Sequence, residues 1–73
     1  MTPQQLKIIL EAAFSGAHIE VESPDNVHFS AKIQASQFAG LSRVAQQQRV
    51  YAALGDLITN GTIHALSLQT SVL

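Results

Sequence analysis

Leu6, Ile9, Leu10, Ala13 and Phe14 recur at three-and-four spacing and mark one face of an amphipathic helix running from Pro3 to about Phe14. The ends of this helix are marked as well. Thr2 can cap it, Pro3 suits the first helical position, Gln5 completes a capping box with Thr2, and Gly16 supplies a left-handed stop. The period then changes to two. His18-Ile19-Glu20-Val21-Glu22 alternates polar with apolar, as does the run from Val27 to Gln34. The turn formers Ser23-Pro24-Asp25-Asn26 lie between them, which predicts an antiparallel hairpin.

After a linking segment from Ser36 to Gly40, a second helix is predicted from about Ser42 to Asn60. Val44, Val50, Tyr51, Leu54, Leu57 and Ile58 fall on one broad face of it at 100° per residue. Gln47 projects near the middle of that face and is the candidate for a buried, hydrogen-bonded polar side chain. A final strand, about Thr62 to Gln69, follows Gly61. A strand, a crossover helix and a strand favour parallel pairing. The order helix, strand, strand, helix, strand therefore predicts an α+β domain, a three-stranded mixed sheet with both helices packed on one face.

The length of 73 residues suits one small domain, taken as residues 1–73. Hydrophobic residues at 47% and charged residues at 12% argue for a soluble globular chain, neither a disordered tail nor a membrane protein. The first residues lack a basic start followed by an apolar run, so no secretory signal is expected and the default location is cytoplasmic. The net charge of -1, with Lys7, Lys32, Arg43 and Arg49 scattered, provides no cationic field for phosphates, and nucleic-acid binding is disfavoured. There is no cysteine, so any soft-metal chemistry must borrow its thiolates.

What chemistry remains lies in the histidines. His28 and His64 each occupy the second position of a predicted strand, and parallel strands would bring both to the same end of the sheet. Each also fits a structural role. His28 shares the outward parity of Ser30, Lys32 and Gln34, whereas His64 shares the parity of Leu66 and Leu68 and is expected to be partly buried. His18 has no evident partner and reads as surface. Two imidazoles fall short of the four ligands of a closed zinc site. A serine hydrolase is not supported, because no G-x-S-x-G elbow exists. A hydrolase or isomerase using His64 as base lacks an orienting carboxylate. Gly40-Leu41-Ser42-Arg43 reads as a loop and cap rather than a phosphate loop.

The stretch from His28 to Thr70 resembles the BolA-like family. The likeness is carried by His28-Phe29, by Ser36-Gln37-Phe38-Ala39-Gly40-Leu41, by Val50-Tyr51 and above all by Ile63-His64-Ala65-Leu66-Ser67-Leu68. Ser42-Arg43-Val44 followed by Gln47-Gln48 is similar to the bacterial branch often called YrbA or IbaG. The Arg-His-Arg signature of BolA itself is represented here by Gln46, Gln47 and Gln48.

The resemblance implies a fold like that of class II KH domains and a non-enzymatic role as an iron-sulfur adaptor. The implied partner is a monothiol, CGFS-type glutaredoxin. Within such a pair a 2Fe-2S cluster is shared, with thiolates from the glutaredoxin and from glutathione; the implied metal ligands of this chain are His64 and, in the variable second position, His28. Imidazole ligation of one iron raises the reduction potential relative to thiolate, and it requires the neutral ring. The isolated chain is expected to carry no cofactor and to be a monomer or a weak dimer. The competing reading is a KH-like nucleic-acid-binding transcriptional regulator, against which stands the absence of a glycine-x-x-glycine clamp after Gly40.

Overall fold

The computed structural model describes all of residues 1–73. The first helix, α1 (Pro3–Ala13), starts at the predicted capping box: the Gln5 N–H donates to Thr2 Oγ1 at 3.2 Å, and the Thr2 N–H donates to Gln5 Oε1 at 2.9 Å. Leu6, Leu10 and the following Phe14 are buried, Ile9 is half-buried, and Ala13, expected on the same face, is exposed. Gly16 takes φ +78°, the conformation expected of a helix stop.

Strands β1 (His18–Glu22) and β2 (His28–Gln34) pair antiparallel, with Ile19 opposite Ile33 and Val21 opposite Ala31. Strand β3 (Ala65–Ser71) pairs parallel to β2, with His28 opposite Ala65 and Phe29 opposite Leu66. The sheet order is β1-β2-β3, so β2 is central. Alternation divides the sheet into two faces. Ile19, Phe29, Ala31 and Ile33 face the helices and are buried, whereas Glu20, Glu22, Ser30, Lys32, Ser67 and Gln69 line the other, open face. Both long helices pack on the apolar side, giving the predicted α+β fold.

The segment expected as a plain linker forms a 3-10 turn, Ser36–Phe38. It drives Phe38 into the core against Phe14, with ring centroids 5.3 Å apart and planes tilted by 60°. Gln37 Nε2 donates to the Ser15 carbonyl at 3.0 Å, tying the turn to the end of α1.

The second helix departs from expectation. Instead of continuing to Asn60, α2 (Arg43–Leu54) stops at Gly55, which takes φ +44° and ψ -112°, and a one-turn helix α3 (Asp56–Thr59) follows. The buried stripe of α2 is Gln46, Val50 and Leu54, a strict i, i+4, i+8 row. That row is centred about one position away from the face read from the sequence. Val44 and Tyr51 therefore fall outside it and are exposed, and the buried glutamine is Gln46 rather than Gln47. Gln46 Nε2 donates to the Leu41 carbonyl at 3.0 Å, which satisfies both groups. No helix is long and apolar enough to cross a membrane.

Candidate functional site

The approach to β3 is a built turn, and this displaces the strand from the predicted 62–69 to Ala65–Ser71. Gly61 takes φ +79°, and the Thr62 N–H donates to Asn60 Oδ1 at 2.9 Å. The Ile63 N–H then donates to the Leu57 carbonyl at 3.0 Å while the Ile63 side chain enters the core. With its neighbour anchored inward, His64 projects outward before the strand begins. It is exposed, contrary to the partial burial that strand parity predicts. Its backbone N–H donates to the Val27 carbonyl at 3.1 Å, and its Nε2 lies beside Gly61, 3.9 Å from where a Cβ there would stand.

His28 is the first residue of β2 and sits on the open face, as its parity predicts. The Val27–His64 backbone bond and the His28–Ala65 register place the two histidines at the same end of adjacent strands. Strand spacing and the Cα step together put their Cα atoms within about 9 Å of one another. Both rings are accessible. The structure thus brings together the two histidines singled out in the sequence, while His18, at the far end of the β1–β2 ladder opposite Gln34, is remote from them in register.

Asp25 is legible in the sequence as a turn former and as the only acid close to His28, but its bond to the His28 ring is not. Its Oδ1 accepts from the Val27 N–H at 3.0 Å and from the His28 N–H at 2.9 Å, and its Oδ2 lies 2.7 Å from His28 Nδ1. Ser23 Oγ accepts from the Asn26 N–H at 2.9 Å and donates to the His28 carbonyl, closing the turn in which Asn26 takes φ +62°. The backbone N–H of His28, its ring and the backbone N–H of Val27 all favour the ionised carboxylate. They hold the Asp25 carboxyl well below its usual range. The turn signal was available, because an aspartate after proline readily bonds the backbone two residues on, and that bond brings its carboxylate to the start of β2.

Of the three histidine rings, only that of His28 is tied to another side chain. The chain gathers no group of three or more His, Cys, Asp or Glu side chains able to hold a metal ion. Two outward imidazoles at one sheet end amount to part of a coordination set, open to completion by a second molecule. The cations are spread over three elements, Lys7 on α1, Lys32 on β2, and Arg43 and Arg49 on α2, and Lys32 shares one surface depression with Lys7 and Glu20 and another with Arg43.

Comparison with known proteins agrees with this architecture. The family model described as "BolA-like protein" matches residues 1–72. The chain is 35% identical over 69 residues to a protein of Escherichia coli K12 named acid stress protein IbaG, covering 94% of this chain and 81% of that one. Among solved structures it is similar to a BolA protein homologue from Coxiella burnetii, with a TM-score of 0.85 and 32% identity over 99% of this chain and 91% of the other. It is likewise similar to the BolA domain of SufE1 from Arabidopsis thaliana, with a TM-score of 0.85 and 26% identity over 96% and 90% of the two chains.

Proposed function

This chain belongs to the BolA-like family, and on that premise we propose that it is a non-enzymatic adaptor for iron-sulfur cluster assembly or trafficking, working with a monothiol CGFS glutaredoxin. The observation that carries the reading is the placement of His28 and His64 at one end of the β2–β3 pair, both exposed. The cluster is cargo shared between two proteins rather than a resident cofactor. The donor set suits it: two imidazoles supply neutral nitrogen ligands to one iron, and the absence of cysteine leaves the thiolates to the glutaredoxin and its glutathione.

The roles of the two histidines follow from how each is held. His64 stands on a turn fixed by Gly61 and by the inward anchor Ile63, so its backbone is defined while its ring is unencumbered. His28 lies on the central strand with one ring nitrogen engaged by Asp25 and the other unengaged. The open face beside them carries Glu20, Glu22, Ser30, Lys32, Ser67 and Gln69 around a shallow depression that is open to solvent.

Titration of a 2Fe-2S-loaded monothiol glutaredoxin with this protein, followed by ultraviolet-visible absorption and circular dichroism, tests the reading. A saturable change in the cluster bands is expected; an unchanged spectrum at excess protein would sink it. His64→Ala is expected to abolish the change while altering folding stability by less than about 0.5 kcal/mol, because the side chain is exposed.

A further inference from the structure

The hairpin turn does more than reverse the chain. Asp25 Oδ1 is fixed by two backbone N–H groups, those of Val27 and His28, which sets the plane of the carboxylate and aims Oδ2 at His28 Nδ1, 2.7 Å away. A carboxylate at neutral pH is acceptor-only, so the nitrogen facing it must carry the proton. A neutral imidazole has one N–H and one lone pair, and the lone pair is then on Nε2. The His28 side chain retains 61% of its accessible surface, so the ring stays reachable while held.

We propose that Asp25 is a positioning residue for iron: its carboxylate holds the neutral His28 ring in the Nδ1–H form and presents Nε2 as the binding atom. The assignment rests on the reading of His28 as a ligand given above. Metal-bound histidines characteristically donate their second ring N–H to a carboxylate or carbonyl, which fixes tautomer and ring orientation. In this chain the carboxylate is supplied from within the same four-residue turn that starts the strand, so His28 is oriented before any metal arrives.

The near-isosteric variant Asp25→Asn separates orientation from turn structure. Its Oδ1 still accepts from the Val27 and His28 N–H groups, but an amide N–H replaces Oδ2, and Nδ1 must now accept. The proton moves to Nε2, the binding lone pair is lost, and the ring must turn before it can ligate.

Long-range proton–nitrogen correlation spectra of the free protein at pH 8 report the tautomer directly, with His18 as an internal reference free of a carboxylate partner. Wild-type His28 is expected in the Nδ1–H form and Asp25→Asn in the Nε2–H form, with far-UV circular dichroism unchanged. Wild-type His28 in the Nε2–H form overturns the proposal without any variant. In the glutaredoxin titration, Asp25→Asn is expected to raise the half-saturating concentration about tenfold to a hundredfold. In a His28→Ala background the same substitution is expected to add nothing.

A wild-type response left intact by Asp25→Asn overturns the role of Asp25 alone, and so does an undiminished Asp25→Asn effect in the His28→Ala background. No wild-type response overturns the iron reading itself.

Discussion

Gln46 is the one polar side chain taken into the core, and its value lies in the Leu41 carbonyl that it satisfies just before α2 begins. Gln46→Ala is expected to cost about 1–3 kcal/mol, measured by urea unfolding, because it leaves that carbonyl without its partner. A buried glutamine in this helix was legible in the sequence, but its identity was not. Gln46, Gln47 and Gln48 are consecutive and stand 100° apart, so choosing among them requires the buried stripe to be placed to better than one residue. Val44 and Tyr51, apolar yet exposed, drew the estimated centre of the face away from its true position. The histidines divide in the same way. The outward parity of His28 could be read because the strand alternates cleanly around it. The exposure of His64 could not, because it depends on where β3 starts, and that is decided by the inward anchoring of Ile63 through the Leu57 carbonyl.

At the scale of elements, the hairpin, the parallel crossover and the capped first helix all follow from local chemistry: alternation, turn formers and a capping box. The break in the second helix does not, since an isolated glycine within a helical pattern is ordinarily tolerated. The available sign was Gly55 followed by Asp56, a stop residue and then an acid suited to a new first turn. With φ +44° and ψ -112°, Gly55 occupies backbone space that a side chain strains to enter, although nothing packs closer than the Ala52 carbonyl at 3.7 Å from an added Cβ. Gly55→Ala is therefore expected to lose about 1–3 kcal/mol through backbone strain rather than collision. Chemical denaturation measures the loss. A variant as stable as wild type would show that α2 can run on through this position.

For the whole molecule, stability rests on one small core in which α1, the 3-10 turn and the sheet meet at Phe38. A domain of this size holds on the order of 4–11 kcal/mol of net stability. Phe38→Ala removes about 3–5 kcal/mol, which lowers Tm by roughly 12 °C or more and leaves a fraction of the chains unfolded under mild heating. A thermal melt followed at 222 nm decides it; a shift of a few degrees would mean that the core collapses around the void. The parallel pairing of β2 with β3 carries a kinetic consequence for the candidate site. His28 meets Ala65 across a separation of 37 residues, and the whole of α2 and α3 lies between them. Contacts of such long range are closed only after much loop entropy has been lost, so they form late as the chain folds. The strand ends that carry His28 and His64 consequently adjoin only in chains that have completed the sheet. An incompletely folded chain leaves these two positions apart, so their juxtaposition belongs to the finished fold and not to the sequence near either histidine.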